Sequence, residues 1–253
     1  MKVIVLAGGF AKRMWPLTKD QPKHLLNVAK KPMLSYVLDK IDKIENTLVD
    51  IVYISTNARF KQKFEKFLDD YESELNLKLI IEDTLSEGEK LGSIGALYYL
   101  ITKENIDDDL LIIGGDNLFE FDLSDMVQFF KTKGSDTIAV YDTGSIEKAK
   151  LYGVLDVDSD DKIINFLEKP KDPPSTLCAT ACYLLTKDGV NALKEYVDGG
   201  NNPDAMGFFV SWLIDKKNVY AYSFSGSWFD VGSFESLKEA DVFYSKIRNN
   251  QTC

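Results

Sequence analysis

The apolar run Val3-Ile4-Val5-Leu6 leads straight into Gly8-Gly9, and short apolar runs alternate with helical stripes through the first half of the chain. Leu34, Val37, Leu38, Ile41 and Ile44 recur at spacings of three and four, the signature of one helix face. Ile51–Ile54, Leu77–Ile81 and Leu110–Ile113 are further runs of strand length. Between them lie a stripe at Phe60, Phe64, Phe67 and Leu68 and another at Ile94, Leu97, Tyr98 and Ile101. Such alternation predicts βαβ units: an α/β fold with a Rossmann-like mixed, mainly parallel sheet and helices on both faces. Ligands of such sheets bind beyond the carboxyl ends of the strands. Gly8-Gly9 and the Asp of Gly114-Gly115-Asp116 both fall there.

The second half is richer in strands, expected over Thr137–Tyr141, Gly153–Val157, Ile163–Glu168, Leu177–Leu185 and Val219–Phe224. Helices are expected near Lys187–Tyr196, Ala205–Lys216 and Ser233–Lys246. Pro170–Pro174 and Gly199–Pro203 are too short for linkers and read as turns. The pattern therefore predicts a single domain over residues 1–253.

Composition sharpens this. With 45% hydrophobic and 28% charged residues, the chain reads as an ordinary soluble globular protein. Its net charge of −10 and pI near 4.7 argue against a nucleic-acid or anionic-membrane surface. A phosphate ligand must then be held by local cations. Three cysteines, Cys178, Cys182 and Cys253, offer no disulfide framework and point to a reducing compartment. With a single histidine, His24, a zinc site is not expected. Cys178 and Cys182 read as small core hydrophobes, His24 as a satisfied structural residue, and Asp107-Asp108-Asp109 as a solvated loop. No signal peptide and no run of 18 apolar residues is seen, so the expected setting is cytoplasmic.

The chemistry concentrates between Leu6 and Pro32. Paired glycines at a strand end let the backbone approach a ligand and aim its N–H groups at it. Arg13, a forked cation, and Lys23, a point charge behind Pro22, suit a polyphosphate. Neither a P-loop GK[ST] nor a GxGxxG dinucleotide motif is present.

The stretch LAGGFAKRMWPLTKDQPKHLLNVAKKP resembles the opening of the sugar nucleotidyltransferase family, LAGGxGxRxxPLTxxxPKxLLxVxxKP. Later motifs stay in register: Asp116 of a GD pair, Trp228-x-Asp230-x-Gly232-Ser233-x-x-Ser236-Leu237, Tyr152-Gly153, and Glu168-Lys169-Pro170. Leu91-Gly92-Ser93 with Gly95-Ala96 matches the family's LGTAGA. The resemblance implies an enzyme that transfers a nucleoside monophosphate from a nucleoside triphosphate to a hexose 1-phosphate, of the glucose 1-phosphate or mannose 1-phosphate type. Pyrophosphate is the other product. It further implies catalytic Arg13 and Lys23, and nucleotide contacts at Leu6, Ala7, Gly8, Gly9, Glu82, Gly92 and Ser93. Asp116 and Asp230 are the implied Mg²⁺ ligands, as Mg²⁺ takes one or two carboxylates plus substrate phosphates. Gly153 and Glu168 are assigned to sugar hydroxyls and Lys169 to the sugar phosphate, with the strand end at Pro170 re-aiming Lys169. Residues 1–135 would form the nucleotide-binding half and 136–245 the sugar-phosphate-binding half.

Three positions depart from the family pattern. Ala11 replaces the third glycine, Ala179 stands where a sugar-contacting Asn is expected, and Glu82 or Asp83 stands where pyrimidine-using relatives carry Gln. The long acidic loop Asp83–Lys90 is expected to be mobile and to close over the base. The expected partners are the triphosphate and the sugar phosphate, not nucleic acid or membrane, and a homo-oligomer stays open. With no left-handed β-helix, acetyl transfer is not expected. The alternatives are a cytidylyltransferase acting on an alcohol phosphate such as phosphocholine, or a catalytically silent nucleotide-sensing subunit.

Overall fold

A computed structural model describes residues 1–45 and 47–251; Cys253 lies outside the described residues. In chain order the elements are β1 (Lys2–Leu6), a hairpin of β2 (Asn27–Val28) and β3 (Lys31–Pro32), α1 (Met33–Ile41), β4 (Ile51–Asn57), α2 (Lys61–Asp69) and β5 (Leu77–Glu82). Next come α3 (Gly92–Lys103), β6 (Leu110–Gly114), β7 (Asn117–Phe119), α4 (Leu123–Lys133), β8 (Asp136–Asp142), α5 (Ile146–Ala149), β9 (Gly153–Val157) and β10 (Ile163–Glu168). The chain continues with β11 (Leu177–Leu185), α6 (Lys187–Asp198), α7 (Met206–Ile214), β12 (Val219–Ser223), β13 (Trp228–Asp230) and α8 (Phe234–Gln251).

The apolar runs pair into one mixed sheet in the order β10-β9-β11-β6-β1-β4-β5, with β8 against β11 and β12 against β8. β1, β4, β5, β6, β8, β9 and β12 run one way; β10 and β11 run the other. This is the expected mixed, mainly parallel sheet. Alternate residues of β1 point to opposite faces. Ile4 packs with Ile94, Leu97, Leu193 and Phe209 under α3, α6 and α7. Val3 and Val5 pack with Leu34, Leu38, Phe64 and Met126 under α1, α2 and α4. Burial on both faces is why the central strands read as unbroken apolar runs. Each fully buried Ile or Leu contributes about 1.5–3 kcal/mol.

Register aligns the carboxyl ends. Leu6 sits opposite both Ser55 and Gly114, and the Gly115 N–H donates to the Leu6 carbonyl at 2.8 Å. The Gly8-Gly9 loop, Asn57 and Asp116 therefore emerge along one edge of the sheet. A small third core holds Met14, Val28, Met33, Val231 and Ala240. It anchors α8 over the loop that follows Gly9, and the Ala29 N–H donates to Asp241 at 2.8 Å.

The sequence pattern does not predict β2, β3, α4, α5, β7 or β13. α4 starts at an Asp122 cap, whose carboxylate accepts from the Ser124 N–H at 2.9 Å, and ends at Gly134 with φ of 60°. Cys178 and Cys182 are buried and free, and burial raises both thiols, Cys178 to about 11.

Candidate active site

A cleft of about 650 Å³ lies along the carboxyl ends of the parallel strands. Of the residues expected in the site, Leu6, Gly8, Gly9, Arg13, Lys23, Glu82, Gly92, Ser93, Asp116 and Asp230 line it. Ala7 does not: it is buried, its N–H donates to the Ser55 carbonyl at 2.8 Å, and its carbonyl accepts from the Thr56 hydroxyl at 3.1 Å. These bonds hold the start of the loop down on β4.

Ala11, in place of the third glycine, adopts the left-handed conformation a glycine would take freely, with φ and ψ both 44°. Two bonds secure it: its carbonyl accepts from the Thr18 hydroxyl at 2.8 Å and from the Met14 N–H at 2.9 Å. The short helical turn at Lys12–Met14 then carries Arg13 to the cleft, where it makes no ion pair among the described residues.

Asp116 follows β6, and Lys23 forms an ion pair with it. Asn117, not singled out from sequence, ties three segments together. Its amide donates to Asp116 at 3.0 Å, while its carbonyl oxygen accepts from Trp228 Nε1 at 2.8 Å and from the Ala181 N–H at 3.5 Å. The β7–β13 ladder places Asp230 directly opposite Asn117, and the Val231 N–H donates to the Asp116 carbonyl at 3.0 Å. So two carboxylates 114 positions apart in the chain are set side by side. Ser233 and Ser236 of the same motif cap α8: Ser236 Oγ accepts from the N–H groups of Gly232 and Ser233, both at 3.1 Å.

Burial would raise Asp116, but Lys23 beside it and hydrogen bonds from Lys23 and Asn117 hold it well below the usual carboxylate range. Burial, followed by the charge of Asp116, pushes Asp230 up to about 6 against the pull of Lys23, Lys169 and Arg13. Two crowded carboxylates of this kind suit a divalent cation. Mg²⁺ takes one or two carboxylates plus substrate phosphates, and this pair offers two. His24 is buried, as a structural residue should be. Burial pushes it down to about 4, and its Nδ1 has no hydrogen-bond partner among the described residues, so it is not fully satisfied.

Gly153, Glu168 and Lys169 lie outside the cleft lining but border it. A Cβ on Gly153 would meet the Phe166 ring and, at 3.3 Å, Glu168 Oε2; Gly207, next to the cleft residue Met206, also abuts this carboxylate. β10 ends at Glu168, and Lys169 turns into the left-handed region at φ of 47°, its N–H donating to the Tyr152 carbonyl at 3.1 Å. That turn brings Lys169 Nζ within 3.6 Å of Glu168 Oε1 and within electrostatic reach of Asp230. The expected re-aiming at the strand end is therefore seen. Tyr152 also packs on Trp228, ring centroids 4.7 Å apart, joining the two motifs.

At the other end of the cleft, Gly92 opens α3 at φ of +76°, where a Cβ would stand 2.5 Å from the Asp204 backbone. The Ser93 N–H and hydroxyl both donate to the Asp204 carbonyl, at 2.9 and 3.2 Å. The acidic loop crosses here. Lys90 lies 3.7 Å from Glu87 and 3.4 Å from Asp204, pinning the loop to the segment before α7. Asp204 and Met206 line the cleft with no motif to announce them; Tyr183, from the same stretch as Ala179, and Lys90, from the acidic loop, line it too.

This geometry is that of a nucleotidyl transferase. The model of the family described as Nucleotidyl transferase matches residues 2–247, and the chain belongs to that family. A Sulfolobus acidocaldarius protein named "Putative mannose-1-phosphate guanyltransferase" is 32% identical over 232 residues, covering 92% of this chain and 60% of that protein. The bifunctional protein GlmU of Methanocaldococcus jannaschii is 29% identical over 243 residues, covering 96% of this chain and 54% of its own length. This chain thus spans little more than half the length of these relatives. Among solved structures, one named as a putative glucose-1-phosphate thymidylyltransferase from Bacillus anthracis superposes with a TM-score of 0.82 at 26% identity, covering 97% of this chain and 95% of that one.

Proposed function

We propose that this chain transfers a nucleoside monophosphate from a nucleoside triphosphate to a hexose 1-phosphate, releasing pyrophosphate. The observation that carries the reading is the convergence of Arg13, Lys23, Asp116 and Asp230 in one cleft, with Lys169 and Glu168 at its rim. The reaction needs no nucleophilic side chain. A sugar phosphate oxygen is already anionic and attacks the α-phosphorus in line, expelling pyrophosphate. The protein has to hold two anions together and offset the charge that grows on the phosphoryl oxygens.

In this reading residues 1–135 bind the nucleotide and 136–245 the sugar phosphate. Leu6, Gly8, Gly9, Glu82, Gly92 and Ser93 contact the nucleotide, with Ala7 beneath them as support. Arg13 holds the pyrophosphate end. Lys23, now paired with Asp116, turns to the α-phosphate, and Lys169 receives the incoming phosphate. Glu168 accepts hydrogen bonds from sugar hydroxyls beside Gly153. Asp116 and Asp230 would hold Mg²⁺, which when bound neutralises charge on the triphosphate. The net charge of −10 supports small-molecule partners over nucleic acid, and buried free thiols support a cytoplasmic setting.

The base and the sugar named for the relatives differ from one to the next, so neither is carried over. Pyrophosphate release from the four nucleoside triphosphates, each paired with glucose 1-phosphate, mannose 1-phosphate or phosphocholine, tests the reading. A hexose 1-phosphate is the expected acceptor. Release with phosphocholine alone would make this an alcohol-phosphate cytidylyltransferase, and no release from any pair would leave a binding subunit.

A further inference from the structure

The cleft has a chemically distinct end at Glu82. Asp116, Asp230 and Lys23 gather beyond β6, whereas Glu82 closes β5, separated from β6 by β4 and β1. A triphosphate drawn to the cationic end therefore directs its base towards Glu82. This side chain is 5% exposed and lines the cleft directly beneath Gly8, whose missing Cβ leaves the carboxylate open: a Cβ there would sit 3.2 Å from Oε1 and 3.6 Å from Oε2.

Burial raises Glu82 above the ordinary carboxylate value, and the Ser55 hydroxyl, which donates to Oε1 at 2.8 Å and orients the group, pulls part of the way back. Oε2 accepts no hydrogen bond among the described residues. The other carboxylates lining this end, Glu87 and Asp204, are each paired with Lys90. Glu82 is the buried one of the three and has no cation beside it among the described residues, whereas Glu87 and Asp204 are more exposed and share Lys90. Oε2 faces the cleft, and a carboxylate oxygen only accepts, so a ligand group that displaces water there must donate.

Resting on the reading of the cleft as a nucleotidyl-transfer site, we infer that Glu82 selects a guanine nucleotide. Guanine presents two adjacent donors, N1–H and the N2 amino group, that match the two oxygens of one carboxylate. Uracil and thymine set a single N3–H between two carbonyl oxygens that the carboxylate repels. Cytosine and adenine place one amino donor beside an acceptor nitrogen, which meets the second oxygen unfavourably. Each lost bond to a charged acceptor lowers affinity about tenfold or more.

Calorimetric titration of the full chain in Mg²⁺ with GTP, ITP, ATP, CTP and UTP tests this. ITP keeps N1–H and lacks the amino group. GTP should bind tightest, ITP at least tenfold weaker, and UTP weaker still. In Glu82→Gln the GTP preference over UTP should fall below tenfold, because a carboxamide both donates and accepts; the ITP comparison stands if that variant misfolds. Equal binding of ATP, CTP or UTP, or an ITP penalty below tenfold, overturns the inference. Selective GTP binding without pyrophosphate release from any pair removes the transfer reading and leaves the guanine assignment standing. Release from UTP but not GTP does the reverse.

Discussion

Replacing Asp230 by Asn should make the protein more stable and inactive at once. Burial, followed by the charge of Asp116, raises Asp230 from its ordinary 3.8 to about 6. A folded-state value above the unfolded one means that the folded protein binds more protons between the two. Stability therefore falls as pH rises from about 3.8 to about 6, and the full loss persists above that. Two units correspond to about 3 kcal/mol at 1.36 kcal/mol each. Asp230 is only partly buried, so solvent screening brings the usable figure to about 1–2 kcal/mol. Asn keeps the shape, and Asp230 makes no side-chain hydrogen bond among the described residues that the substitution would break. Urea denaturation in EDTA should show Asp230→Asn stabilised by that amount at pH 8 and by only a fraction of it at pH 4.5. Melting in EDTA at pH 8 should rise by roughly 2–4 °C per kcal/mol. Turnover at saturating Mg²⁺ should fall by orders of magnitude, as it should for Asp116→Asn. An unchanged or lowered stability at pH 8, or a gain equal at both pH values, would refute the cost assigned to a buried charge beside Asp116; near-wild-type turnover would refute the metal assignment.

Arg13→Ala should raise KM chiefly for the triphosphate and Lys169→Ala chiefly for the sugar phosphate; steady-state kinetics in which both raise only the triphosphate KM would remove Lys169 from the acceptor site. Gly92→Ala combines a left-handed backbone with a clash on the Asp204 segment and should cost about 2–4 kcal/mol in chemical denaturation, whereas a neutral result would mean that this contact yields easily. Hydrogen exchange across residues 83–92 should slow on adding triphosphate as the acidic loop closes over the base; slowing confined to Gly8–Arg13 would make the loop a passive insertion.

How far the site could be read from sequence depends on how local its causes are. β1, β4 and β6 were legible because strands covered on both faces must be apolar throughout, and Gly8-Gly9 and Lys169 because their turns are determined within a few residues. β7 and β13 were not: each is three residues long, and their pairing is decided by Trp228 reaching Asn117 from 111 positions away. The Leu123, Met126, Val127 and Phe130 stripe and its Asp122 cap are local signals of α4 that the sequence carries. Asp204 and Met206 joined the cleft only because α7 packs beside α3 and β10, a contact that no local pattern encodes. Glu82 was placed from the family pattern, but its open oxygen is a property of the packing around Ser55 and Gly8.

The central claim is that a sugar phosphate oxygen attacks the α-phosphorus of a triphosphate held in this cleft. Incubating the protein with Mg²⁺, a nucleoside triphosphate and a hexose 1-phosphate whose terminal phosphate oxygens carry ¹⁸O tests it by mass spectrometry. The account predicts an NDP-hexose that retains all of the label, an equal amount of unlabelled pyrophosphate, and neither product in EDTA. Label in the pyrophosphate, or free nucleoside monophosphate in place of NDP-hexose, would contradict it.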